Sequence, residues 1–115
     1  MTAMTVEPTP ARLRSSALVA GVLRGGARRA SGTVVVHVAK GDPDVFRFTA
    51  VASRRVGSAV HRNRAKRLIR EAARSHAWRR GFDAVVVARP SIVGADLATV
   101  RADVRRAGDA LGVLA

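Results

Sequence analysis

The segment Arg54-Arg55-Val56-Gly57-Ser58-Ala59-Val60-His61-Arg62-Asn63-Arg64-Ala65-Lys66-Arg67-Leu68-Ile69-Arg70-Glu71 decides how the rest of this 115-residue chain is read. At about 3.6 residues per helical turn, the stretch from Ala59 to Trp78 gathers His61, Ala65, Leu68, Ile69, Ala72 and His76 on one side. Arg62, Asn63, Lys66, Arg67, Arg70 and Arg74 gather on the other. One stripe is suited to packing and the other to a partner. From Arg54 to Arg80 there are ten Lys or Arg against a single acid, Glu71. Like charges one turn apart repel by about 0.2–0.5 kcal/mol per pair, so a ridge built from Arg62, Lys66 and Arg70 calls for an anion. Guanidinium groups fork onto phosphate oxygens, and a ridge of them can follow a nucleic-acid backbone. If about five phosphates are neutralised, binding should weaken by roughly two to three decades between about 50 and about 200 mM salt.

Composition agrees with that partner class. The chain carries 21 Lys+Arg against 8 Asp+Glu, a net charge of +13, which favours nucleic acid or an anionic surface. Its 48% hydrophobic content supports one folded domain of modest core. Without cysteine, disulfides and thiolate metal sites are excluded, and a reducing, cytoplasmic setting is compatible. The longest apolar run, Ala84 to Ala88, has the length of a strand, so a soluble protein with no membrane partner is expected. Ala17 to Leu23 is too short, and too closely followed by Arg24, Arg28 and Arg29, to read as a signal peptide.

Outward from the basic helix, residues 1–10 read as a disordered N-terminal segment and residues 11–115 as a single nucleic-acid-binding domain, RNA-binding by the resemblance given below. Arg12 to Arg24 predicts a short helix with Ser15 or Ser16 near its start and Gly25-Gly26 to stop it. Thr33 to Ala39 and Phe46 to Ala52 read as the arms of an antiparallel hairpin around Lys40-Gly41-Asp42-Pro43-Asp44. In the first arm Val34, Val36 and Val38 share a face, with Val35 and His37 on the other. Phe82 to Ala88 predicts a central strand, closed by Arg89-Pro90. Asp96 to Leu111 predicts a closing helix with Asp96 as cap and Leu97, Val100, Val104, Ala107 and Leu111 as its packing stripe. The expected fold class is α/β, an α+β sandwich in the order αββαβα, with helices packed on a small mixed sheet. No internal repeat is present.

The run from Val56 to Glu71 closely resembles the signature of the bacterial ribonuclease P protein component, whose mark is Arg-Asn-Arg at the start of the basic helix, here Arg62-Asn63-Arg64. The resemblance extends from Arg12 to the C-terminus: an opening Arg-Leu-Arg helix, two strands, the Ser53-Arg54-Arg55-Val56-Gly57 entry, an apolar strand ending in Ala88-Arg89, and a last helix. It implies a protein subunit that binds a catalytic RNA and the 5′ leader of precursor tRNA, aiding endonucleolytic removal of the leader. The RNA would carry the hydrolysis with Mg²⁺ that it mainly binds itself, the protein alone holding no cofactor, metal or catalytic residue. It further implies that Arg62, Asn63, Arg64, Lys66, Arg67 and Arg70 dock on the RNA subunit. A cleft of Val19, Leu23, His37, Arg54, Arg55 and Arg89 would receive the leader. The family's β-α-β crossover around the basic helix is left-handed, against the general rule. Family members often carry aromatic rings where this chain has Val19 and Leu23, so leader binding here should rest on backbone charge and aliphatic contact more than on stacking.

The remaining residues point to no protein-borne active site. His37, His61 and His76 show no ligand spacing, and His61 and His76 read as hydrogen-bonded structural groups beside the helix's apolar stripe. Trp78 reads as a packing anchor, and Asp83, Asp96, Asp103 and Asp109 as caps or solvated charges. A structural RNA-binding protein such as a small ribosomal protein shares the basic helix. What separates it is Gly57-x-Ala59-Val60-x-Arg62-Asn63-Arg64, because Asn63 makes directed hydrogen bonds that charge neutralisation does not require. DNA as a partner is disfavoured, since no helix-turn-helix pattern is present.

Overall fold

The computed structural model describes residues 10–115, so the segment expected to be disordered lies outside the described residues except for Pro10. In chain order the elements are β1 (Ala11–Arg12), α1 (Ser16–Gly25), β2 (Ala27–Ser31), β3 (Val34–Lys40), β4 (Phe46–Val51), α2 (Ala59–Arg74), β5 (Phe82–Ala88) and α3 (Leu97–Leu111). One-turn 3₁₀ helices at Arg54–Val56 and Pro90–Ile92 follow β4 and β5.

β5 is apolar on both faces, and a strand of that kind is stable only with both faces covered and both edges paired. It therefore takes the centre of a five-stranded sheet ordered β1-β4-β5-β3-β2. β3 pairs with it antiparallel over Val34↔Ala88 to Lys40↔Phe82, and β4 pairs with it parallel over Phe46↔Phe82 to Val51↔Val87. This corrects the expected hairpin: β3 and β4 are consecutive but do not pair, because β5 inserts between them. Gly81 fixes the insertion at the base, accepting from Gly41 N–H at 2.9 Å and donating to the Val45 carbonyl at 2.8 Å.

Two edge strands were not expected. β2 joins β3 through the two-residue turn Gly32-Thr33, with Gly32 at φ 54, the position where a primed hairpin turn favours glycine. β1 pairs parallel with β4, and Leu13 extends the pairing by donating to the Phe48 carbonyl at 2.9 Å. Arg12-Leu13-Arg14 is therefore extended chain rather than the start of a helix, and α1 begins at Ser16 with Ser15 as its cap.

The sheet is covered on both sides. Val34, Val36, Val38, Phe46, Phe48, Ala84, Val86 and Ala88 face α2 and α3, meeting Ile69, Ala72, Val100 and Val104 in the main core. Leu13, Val22 and Val85 form a smaller core under α1, with Val19, Val51 and Val87 at its margin. Residue alternation along β3 is as expected, with His37 on the α1 face.

α2 ends at Arg74, four residues before the expected stop at Trp78. Ser75 turns its hydroxyl back onto the Ala72 carbonyl at 2.7 Å, and Trp78 Nε1 donates to the Ala73 carbonyl at 2.8 Å. Leaving the helix lets the Trp78 ring stack on Phe46, with centroids 4.6 Å apart. The anchor reading of Trp78 holds.

Two of the carboxylates expected to be caps or solvated charges, Asp83 and Asp103, are buried. Asp83 receives both Nε and Nη2 of Arg47, at 2.8 and 2.9 Å. Asp103 accepts from Thr33 N–H and Oγ1 at 2.9 and 2.7 Å and from Arg106 at 2.5 Å. Buried charge survives only with such partners. Asp96 caps α3 as expected: the Thr99 N–H, at 2.9 Å, holds its carboxyl below the ordinary carboxylate value.

Candidate nucleic-acid interface

α2 is the crossover between the parallel strands β4 and β5, so its axis is set by the sheet and its outer face is left to solvent. Ser58 caps it, its hydroxyl accepting from His61 N–H at 3.4 Å. Ala65, Ile69, Ala72 and Ala73 are buried and Leu68 is half-buried. His61 is exposed, contrary to its expected place in the packing stripe. His76 is half-buried and sets its Nε2 3.1 Å from the Arg101 carbonyl, which agrees with the structural reading.

The six residues expected to face the partner divide into two groups. Asn63, Arg67 and Arg70 are exposed along one side of the helix. Arg62, Arg64 and Lys66 are half-buried, and the two arginines are tied inward: Arg62 Nη1 donates to the Gly57 carbonyl and Arg64 Nη2 to the Ala95 carbonyl, each at 2.8 Å. These bonds fasten the first turns of α2 to the segment before it and to the loop before α3. A guanidinium has five N–H donors, so donors remain for a partner. No carboxylate lies within ion-pair distance of Arg62, Arg64, Lys66, Arg67 or Arg70 among the described residues, whereas Arg74 pairs with Glu71 at 2.7 Å. Lys66, Arg70 and Arg74 also line a pocket of about 310 Å³ closed by Arg12, Phe48 and Ala50. Arg12 completes a ring of cations that the helix alone did not reveal.

On the opposite face of the sheet, a groove of about 520 Å³ runs between α1 and β4. Val19 and Leu23 line it as expected, together with Thr49 and Val51, and Arg12 and Arg14 border it. Among the described residues no aromatic ring lines it, in keeping with the aliphatic reading of Val19 and Leu23. Arg54, Arg55 and Arg89 do not line the groove. All three are exposed, just beyond the ends of β4 and β5, and because those strands are parallel they lie at one end of the molecule, where Val51 ends β4.

His37 lies elsewhere. It is 9% exposed on β3, two strand spacings or about 10 Å from β4, and opposite Val85 and Arg28. Its Nδ1 is buried without a hydrogen-bond partner among the described residues. Burial, and secondarily the charge of Arg28, hold its pKa below the ordinary 6.5. It belongs to the floor under α1, not to the groove wall. The groove residues missed from sequence, Arg12, Arg14, Thr49 and Val51, carry a period-two signal around Leu13 and along β4 that would have exposed them.

A family model described as Ribonuclease P matches residues 8–111. The ribonuclease P protein component of Nocardioides sp. is 38% identical over 100 residues, covering 83% of this chain and 86% of that protein. The structure of a Staphylococcus aureus RNase P protein mutant with defective mRNA degradation activity matches with a TM-score of 0.79 at 25% identity, covering 89% of this chain and 88% of that one. RNase P protein from Thermotoga maritima, solved in complex with 1-(4-fluorophenyl)-2-thiourea, matches with a TM-score of 0.74 at 30% identity, covering 83% of this chain and 94% of that one.

Proposed function

The chain belongs to the ribonuclease P protein family, and from that premise we propose that it works as the protein subunit that seats precursor tRNA on a catalytic RNA. The observation that carries this is the outer face of α2. Asn63, Arg67 and Arg70 are exposed there, and neither arginine has a carboxylate partner among the described residues. These three bind the RNA subunit. Arg62 and Arg64 hold the start of α2 in place and offer their remaining donors, and Lys66 turns toward the pocket shared with Arg12.

The 5′ leader lies in the groove against Val19, Leu23 and Val51, its phosphates drawn by Arg12 and Arg14 along the border and by Arg54, Arg55 and Arg89 at the end. His37 supports α1 from beneath rather than touching the leader. Mg²⁺, held mainly by the RNA, supplies charge stabilisation and an activated water for hydrolysis. Asp83 and Asp103 are engaged by arginines and so act within the fold. The chemistry is carried by the RNA, in the cytoplasm, without a DNA or membrane partner. No helix among the described residues is long and apolar enough to cross a membrane. A ribosomal role draws no support from the relatives and structures above, all of which are RNase P proteins.

The test is reconstitution with a bacterial ribonuclease P RNA at low Mg²⁺. The protein should accelerate precursor cleavage, and Arg67→Ala with Arg70→Ala should weaken assembly. Unchanged cleavage on adding the protein, or assembly of the double variant as tight as wild type, would refute the reading. Equal affinity of the holoenzyme for precursor and mature tRNA would remove the leader groove alone.

A further inference from the structure

Basic character is not confined to α2. Between Ala11 and Gly41 the chain contains no Asp or Glu, against Arg12, Arg14, Arg24, Arg28, Arg29 and Lys40. Arg12 and Arg14 border the groove. Arg24 sits in the last turn of α1, and Arg28 and Arg29 sit on β2, at the edge of the sheet opposite β1. All three are exposed, and none makes a side-chain hydrogen bond or ion pair among the described residues.

The edge is built to present them. Arg28 is paired opposite His37, on the α1 face, and Arg29 opposite Val36, on the α3 face, so the two guanidinium groups straddle the strand. An edge strand also turns unpaired backbone N–H groups outward, which adds donors between the two charges. The strand is held firmly: Arg106 Nε donates to Ser31 Oγ at 3.2 Å, and Asp103 grips Thr33 at the turn. On neighbouring α3 two of the three arginines meet an acid, Arg105 facing Asp109 at 3.8 Å and Arg106 facing Asp103 at 2.5 Å, while Arg101 meets none among the described residues. β2 has no such acids.

β2 lies three strand spacings, about 14 Å, from β4. α3 packs on β2 and on α2, and so stands between the two basic surfaces. The β2 cations are therefore not a continuation of the α2 ridge. Charged residues on an edge strand also deter edge-to-edge pairing, but that purpose is served by either sign and does not involve Arg24, which lies off the strand.

We propose that Arg24, Arg28 and Arg29 form a further RNA-backbone surface, so that the protein holds an RNA segment on the β2 edge in addition to those on α2 and in the groove. The inference rests on the RNA partnership proposed above and adds a site to it.

The experiment measures the salt dependence of binding by the full chain carrying Arg28→Gln and Arg29→Gln, first with the RNA subunit and then, in the assembled complex, with precursor tRNA. Loss of two phosphate contacts should reduce the slope of log K against log salt by about 1.4–1.8 for the RNA seated on the edge. The single variant Arg105→Gln removes the same charge as Arg29→Gln from a guanidinium that already has an acid, and should leave the slope unchanged. The inference is overturned if neither RNA shows a change of slope, or if Arg105→Gln lowers it as much as Arg29→Gln. It is also overturned if the double variant self-associates in sedimentation while both slopes stay the same, which would assign these arginines to guarding the edge. Arg67→Gln, measured alongside, separates the failures: a slope insensitive to Arg67 counts against the α2 reading, and one insensitive only to Arg28 and Arg29 counts against this one.

Discussion

α2 and α3, of 16 and 15 residues, lie against one another on the same face of the sheet. Their inner sides are alike. α2 buries Ala65, Ile69, Ala72 and Ala73, and α3 buries Val100, Val104, Ala107 and Gly108. Their outer sides differ in what faces each cation. On α3, Arg105 and Arg106 each meet an aspartate, and Asp103 reaches inward to hold the turn at Thr33. On α2, Arg67 and Arg70 meet no acid among the described residues, and only Arg74, in the last turn, pairs with Glu71; Arg101 is the one arginine of α3 in the same position as Arg67 and Arg70. The acid of α3 that matters most, Asp103, is used in closing the fold on itself, whereas the middle of the outer face of α2 is left for a partner. Charge density alone would not separate them; the location of the counter-charge does.

The largest effect expected from breaking this contrast is on α3. Asp103→Ala strands the buried Thr33 N–H and hydroxyl and should cost about 2–3 kcal/mol in urea unfolding. The matching change on α2, Glu71→Ala, opens an exposed pair with Arg74 and should stay within about 0.5 kcal/mol. Equal costs would mean that the two helices do not differ as described.

Within α2 the contrast recurs between neighbours. Arg64→Ala removes the clasp on the Ala95 carbonyl and should destabilise by about 1.5–3 kcal/mol, whereas Arg67→Ala should change stability by less than about 0.5 kcal/mol and act on RNA affinity. Unfolding and binding measured on both variants show whether bracing and docking are separate duties.

This division marks the limit of what the sequence disclosed. The stripe of α2, the Asp96 cap, the anchor Trp78 and the central place of β5 follow from local periodicity and capping chemistry. β2 does not, because Ala27-Arg28-Arg29-Ala30-Ser31 has no β-branched residue and is a strand only through its pairing with β3. The pairing of β3 and β4 was misjudged because a short connection favours a hairpin locally, while the need to bury β5 on all sides is a property of the whole sheet. Arg62-Asn63-Arg64 was legible as a motif, yet the inward bonds of its two arginines depend on Gly57 and Ala95, which only the tertiary fold brings near. His37 was legible as facing away from the valines, but not as covered by α1.

A smaller effect tests the groove. Val19→Phe places a ring beside Leu23 and should raise the preference for precursor over mature tRNA by about 1 kcal/mol through base stacking. No gain in that preference would argue that the leader does not touch this wall.

The smallest effect concerns the floor under α1. His37 has a folded pKa below its unfolded value of 6.5, so at higher pH both states are neutral and stability is complete. As pH falls below 6.5 the unfolded chain takes up a proton that the folded chain resists, and stability declines. His37→Gln should flatten this decline below pH 6.5 in thermal unfolding; a decline of the same slope would place its cause elsewhere.

The most direct measurement is the salt dependence of binding to ribonuclease P RNA by wild type and by Arg67→Ala with Arg70→Ala, at about 50 to about 200 mM salt, with unfolding followed on the same samples. An RNA interface on the outer face of α2 predicts a slope reduced by about 1.4–1.8 with unfolding unchanged. An unchanged slope, or a loss of binding that tracks a loss of folded protein, would contradict it.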